Sequence, residues 1–357
     1  MRSPLIRPWI DDYDDNHPHS DAGFAEDKRK LPRLKEHRQP YRPSSMPPSP
    51  DQRGLASLGR YLQSGRLFAV CRALTAWLLA WRILPWIVQA AFRILPGPPP
   101  PFARHGHVLI AGSLIRNKIE IILATVLATG IVLLTEKGLL TMGRLIERSN
   151  LPRTSRAWRL YPLGFLIGAL AMAALIGAMA ITGYAHIIHQ TAPASHVLTT
   201  FVEFSIAFIL VGFAEELQNR GYILRALSEG IGFWAAAAVT SFWFAATHVF
   251  EGDPWFGALG TGLRGFFDCL TWRATGSLAF AIGFHAAWDG TETALFGVPD
   301  GSFTVPAALV TTRLSGPVWL SGGTVGPEGS VYAYAVTFML IMTALLILAR
   351  RRRSVSS

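Results

Sequence analysis

The stretch Phe208-Ile209-Leu210-Val211-Gly212-Phe213-Ala214-Glu215-Glu216-Leu217-Gln218-Asn219-Arg220-Gly221 decides how the rest of the chain is read. An apolar run of membrane-spanning character ends in two adjacent carboxylates, and an arginine follows four residues after the second. Ionisable groups at membrane depth are expensive, so by default they mark a functional site. In a helix, Glu216 and Arg220 are i,i+4 neighbours that can pair on one face. Glu215 then points about 100° away and can face a cavity. The spacing leaves one carboxylate free for chemistry and sets the other to hold the arginine. A helix end at the water interface would account for the same charges, so the stretch needs partners before it carries a function.

Composition supports a membrane setting. Of 357 residues, 50% are hydrophobic and 16% charged, whereas soluble domains carry about 25% charged residues. The net charge of +10 does not point to nucleic acid, because the basic residues gather in the N-terminal tail, in short loops and at the C-terminus. That is the pattern of cytoplasmic flanks. Cys71 and Cys269 lie far apart, in or beside apolar stretches, and suggest neither a disulfide framework nor a cysteine metal site. Residues 1–66 are polar and charged and predict a disordered tail, with no cleavable signal peptide.

From residue 67 onward the sequence predicts an all-α, polytopic membrane bundle of about eight helices. Residues 67–110 form a poorly spanning or interfacial apolar segment, interrupted by Arg72, Arg82, Pro85 and Arg93, and then the stiff linker Gly97-Pro98-Pro99-Pro100-Pro101. The bundle occupies 111–353, with its core at about 197–349. Its apolar runs are 119–135, 161–185, 197–214 and beyond, 231–250, a glycine-rich 256–270, a short 277–287 with its flanks, and 331–349 before Arg350–Arg353. Lys137, Arg144, Arg148, Arg153, Arg156 and Arg159 fill one loop, while 186–196 has no Lys or Arg. Eight spans with both termini cytoplasmic, in a cell (inner) membrane, satisfy every loop if residues 67–95 cross once; seven spans, with that segment on the surface, would put the basic tail outside, against the rule.

Two further motifs lie downstream. Phe244-Ala245-Ala246-Thr247-His248 and His285-Ala286-Ala287-Trp288-Asp289 each sit near the end of an apolar helix. Outside the tail and linker the chain has five histidines, and three of them (His186, His189, His196) share one polar loop. The other two are each set in an apolar helix. Asp289, one turn beyond His285, shares its face and can orient the ring. Peptide hydrolysis needs an activated water and a stabilised oxyanion, and a carboxylate in an apolar setting makes a suitable general base. Glu215 would take the proton with His248 holding the water, and His285 and Asp289 would face the tetrahedral intermediate. Alternatively Glu215, His248, His285 and Asp289 would ligate a divalent metal such as zinc. The residues alone leave both versions open. Either requires the third core helix to continue through 218–227, so that Glu215 lies at membrane depth beside both histidines.

Taken together, Glu215-Glu216-x-x-x-Arg220-Gly221, Phe244-x-x-x-His248 and His285-x-x-x-Asp289 resemble the three motifs of the CAAX-protease and bacteriocin-processing (CPBP or Abi) intramembrane proteases. Thr275-Gly276-Ser277-Leu278 and Gly326-Pro327-Glu328-Gly329-Ser330 are similar to family segments too, and the resemblance covers roughly 197–349. It implies an all-α bundle with a water-accessible cavity and an endopeptidase acting on a membrane-anchored protein or peptide. The roles it implies are Glu215 with His248 on the water, His285 with residue 289 near the oxyanion, and Glu216 with Arg220 in support or substrate orientation. Family members have been read both as metalloproteases and as metal-free glutamate enzymes. Two positions depart from the pattern. Asn219 stands where an aromatic is common, and Asp289 where Asn is frequent. An ionised Asp cannot donate to an oxyanion, so Asp289 is protonated, orients His285 or binds a metal. A membrane scaffold or immunity-type protein, and a transporter, remain as other classes. The transporter reading lacks the internal repeat such proteins often carry.

Overall fold

The computed structural model describes residues 65–93, 108–135, 141–188, 190–301 and 303–356. The expected disordered tail up to residue 64, and the linker Gly97–Pro101, lie outside the described residues. Helices dominate: α1 (Arg66–Leu78), α2 (Leu84–Phe92), α3 (Ala111–Leu134), α4 (Met142–Arg148), α5 (Ser155–Trp158) and α6 (Leu160–Ile181) come first. A strand β1 (Ala185–Ile188) leads to α7 (Ala194–Arg220), α8 (Tyr222–Ile231), α9 (Phe233–Glu251), α10 (Trp255–Thr275) and α11 (Ala279–Gly290). A π-helical turn Thr291–Leu295, strand β2 (Thr311–Leu314), α12 (Val318–Ser321), a 3-10 turn Pro327–Gly329 and α13 (Val331–Ser356) complete the chain. The all-helical expectation misses one detail. β1 and β2 pair antiparallel, Ala185 against Leu314, and close the polar loop that holds His186.

Among the described residues, six helical runs are long and apolar enough to cross a bilayer: Arg66–Ala91, Ala111–Leu134, Ser155–Ile181, Ala194–Ile231, Phe233–Glu251 and Val331–Ser354. The count of eight is therefore approximate. The two remaining helices of the core, α10 and α11, differ for a physical reason. Residues Ala281 to Asp289 of α11 are all buried, so protein rather than lipid surrounds the helix, and at 12 residues it is about 18 Å long. The helix α10 carries Arg264, Asp268 and Arg273, the first two buried. The α1–α2 run is continuous through a π turn at Leu79–Ile83. Pro85 has no N–H to continue the α ladder, so the helix widens by one residue before it.

The site rests on the crossing of α6 and α11, the most extensive helix pairing in the fold. Gly164 and Gly168 of α6 lie against the main chain at Phe280 and Phe284, and Gly283 of α11 lies against Tyr161. A Cβ at any of the three would strike a carbonyl oxygen. Small residues let membrane helices approach this closely, and here they bring His285 into the centre of the bundle. The helix α7 packs on α3 and α11. Its run continues as expected into α8, but with a bend at Gly221. Asn150 holds the bend: its amide donates to the carbonyls of Arg220 and Gly221, each at 2.9 Å. Asn150 itself has φ 59°, a left-handed conformation that asparagine tolerates better than most side chains.

Candidate active site

Glu216 and Arg220 pair on one turn of α7, as their spacing predicts. Arg220 donates to Glu216 Oε1 at 2.6 Å, and both side chains are 0% exposed. A buried ion pair needs a shaped enclosure, and three helices supply it. The guanidinium lies 4.3 Å from the centre of the Phe244 ring of α9, a cation–π arrangement. On the other side Gly265 of α10 leaves the space that the guanidinium fills, since a Cβ there would collide with it. The Phe of the Phe-x-x-x-His motif thus packs on the Arg of the paired-Glu motif.

His285 is 1% exposed and clamped from both sides. Its Nδ1 lies 2.9 Å from Glu216 Oε1, and its Nε2 lies 3.3 Å from Asp289 Oδ2 and 3.6 Å from Glu215 Oε2. An ionised carboxylate oxygen only accepts, so both ring nitrogens act as donors. Asp289 in turn accepts from Arg264 at 3.2 Å through Oδ1. Asp289 is therefore an acceptor between a guanidinium and the imidazole. Asn219 turns back onto its own helix and donates to the Glu215 carbonyl at 2.8 Å.

Glu215 is less buried than its neighbour, with 17% of its side chain exposed. The spacing argument leaves this carboxylate free and in an apolar setting. The structure corrects both points, because Lys118 of α3 donates to Oε1 at 2.6 Å. Oε2 is the oxygen turned toward His285. His248 is half-buried. Its Nδ1 lies 2.9 Å from the Phe244 carbonyl, which only accepts, so in the neutral ring Nε2 keeps its lone pair. The Phe244 ring stands edge-on to both histidines, with centroids 4.8 Å from His248 and 6.1 Å from His285. His248 lies within Coulombic reach of Glu215, although no hydrogen bond joins it to the other site residues among the described residues.

The fold thus gathers Glu215, Glu216, Arg220, His285 and Asp289 in direct contact, with His248 one ring away. It also adds three residues that the motifs do not contain. Lys118 and Arg264 are cations bound to the carboxylates of the site. Asp268 of α10 is 0% exposed, has no hydrogen-bond partner on either oxygen among the described residues, and brings a ligand atom within 4.8 Å of those of Glu216 and His285. An ionisable residue inside a glycine-rich apolar span is itself a sequence signal, and Asp268 and Arg264 both carry it.

Acidic residues, arginines and His285 are thus buried where α7, α9, α10 and α11 meet, with the half-buried His248 beside them. Residues 197–291 match the family described as type II CAAX prenyl endopeptidase Rce1-like. That segment begins on α7, ends one residue past α11, and contains all three motifs. No curated protein and no solved structure matches the chain.

Proposed function

We propose that the protein is an endopeptidase that hydrolyses a peptide bond of a membrane-anchored protein or peptide, with water activated between Glu215 and His248. The observation that carries this reading is the unequal environment of the two adjacent glutamates. Glu216 is 0% exposed and committed to Arg220 and His285, whereas the Glu215 side chain is 17% exposed at the edge of the cluster. A general base must reach both water and substrate, and of the pair Glu215 has the exposed surface that this requires.

The chemistry follows from the donors and acceptors in place. Glu215 accepts a proton from a water that also donates to Nε2 of His248. The resulting hydroxide attacks the scissile carbonyl carbon, and the proton passes on to the leaving amine. The oxyanion forms beside the Lys118 ammonium and the His285 ring, both already oriented by carboxylates. Fixed donors of this kind, removed singly, cost about 10²–10³-fold in rate. Asp289 orients His285 rather than donating to the oxyanion, because it already accepts from Arg264.

The donor set does not suit a zinc ion at this site. Both His285 nitrogens face carboxylate oxygens, and Glu215 and Glu216 each hold a cation at 2.6 Å. Three of the four residues named for zinc, Glu215, His285 and Asp289, thus already face Lys118, carboxylates or Arg264, which favours the metal-free version. The test uses protein reconstituted in liposomes with quenched fluorescent peptides carrying a prenyl or an acyl anchor. Cleavage of at least one anchored peptide is expected, with loss of about 10²–10⁴-fold in Glu215→Gln and His248→Ala. Equal cleavage by wild type and Glu215→Gln would remove the assignment, and the two anchors separate prenylated from other lipidated substrates.

A further inference from the structure

A second group of acids lies beyond the candidate active site, on the loops that follow α11. Carboxylate oxygens of Glu292, Asp300 and Glu328 come within 4.8 Å of one another. Glu292, in the π turn, is 0% exposed, and neither of its oxygens has a hydrogen-bond partner among the described residues. The backbone is shaped around it. Gly326 has φ +99°, a Cβ there would stand 3.3 Å from Glu292 Oε1, and the same Cβ would strike the carbonyl of Pro299. Glu328, from the Gly-Pro-Glu-Gly-Ser segment, accepts on Oε1 from Arg264 and from the Trp288 indole, the latter at 2.6 Å, and on Oε2 from Thr261 at 3.3 Å.

Charge separates this group from the candidate active site. There, Lys118, Arg220 and His285 face the carboxylates directly. Here, Arg264 is the cation bonded to the group, and Asp289 shares it. Three carboxylates and a fourth beside them cannot all stay ionised and dry against one guanidinium. A divalent cation would supply the missing charge and give the orphaned Glu292 oxygens a partner. The donors are oxygen only, which suits a hard ion such as Ca²⁺, Mg²⁺ or Mn²⁺ rather than zinc.

We infer that Glu292, Asp300 and Glu328 bind one hard divalent cation, which ties the 298–301 and 326–329 loops to the end of α11. The bound ion also fixes Glu328 and, through Arg264, Asp289. This does not depend on the protease reading. The probe is Tb³⁺, whose luminescence would be sensitised by Trp288 next to Glu328. It is titrated into full-length protein in nanodiscs after chelator treatment, with Ca²⁺, Mg²⁺, Mn²⁺ and Zn²⁺ as competitors. Saturable binding is expected at one ion per chain, displaced by one of the hard ions and not by Zn²⁺. Glu292→Gln and Asp300→Asn should each weaken it by at least about tenfold, with Glu215→Gln unchanged. Where Glu292→Gln does not fold, Asp300→Asn on the loop carries the same reading. No saturable binding in the wild type, binding unaffected by both variants, or binding lost with Glu215→Gln and kept with Glu292→Gln would each overturn the inference.

Discussion

Glu215 and Glu216 are adjacent in sequence and set apart by one helical step, and that step gives them different partners. The Glu216–Arg220 pair is fully buried, so removing one member strands the other's charge. Glu216→Gln is expected to lose about 3–5 kcal/mol, read from denaturant unfolding in micelles. A loss below about 1 kcal/mol would show that the pair is solvated. The Lys118–Glu215 pair is partly open, with 13% and 17% of the side chains exposed. Lys118→Met should therefore cost about 1–3 kcal/mol while lowering proteolysis, and unchanged proteolysis would remove Lys118 from the oxyanion. The i,i+4 relations of Glu216 to Arg220 and of His285 to Asp289 were legible in the sequence, because helical geometry alone sets them. Lys118 was not. Its partner lies 97 positions away, and it sits just before the apolar run 119–135, whereas α3 begins at Ala111.

Helices in this protein meet through glycine where they position the site, and this gives the element scale its sharpest expectation. Gly168→Ala places a methyl against the Phe284 carbonyl and should cost about 1–3 kcal/mol by overpacking. Gly177→Ala on the same helix meets nothing within 4 Å and should be neutral or stabilising by about 0.5–1 kcal/mol. Thermal melts of the two variants compare them directly, and equal effects would contradict the close crossing. The continuation of α7 into α8 could be read from Leu217, Tyr222, Ile223 and Leu227. The bend at Gly221 could not, because Asn150, from a loop 70 residues earlier, satisfies the carbonyls there. The burial of α11 was equally hidden, since a short apolar stretch reads the same whether lipid or protein surrounds it.

At the scale of the whole molecule, the membrane class followed from charge deficit and apolar runs, and the span count was harder to fix because α11 is enclosed by protein and α10 carries Arg264, Asp268 and Arg273. From the basic loops, residues 186–196 are expected outside and the C-terminal arginines inside. In a background with Cys71 and Cys269 replaced by Ala, Ala192→Cys should react with an impermeant maleimide from outside intact cells, and Ser354→Cys only after permeabilisation. The reverse pattern would invert the topology. The central claim is that Glu215 makes this bundle cut peptide bonds. Mass spectrometry of new protein termini in membranes from cells expressing wild type or Glu215→Gln at equal abundance tests it most directly. The account predicts termini that accumulate with wild type and fall by at least about 100-fold with the variant, and the same termini at the same levels from both would contradict it.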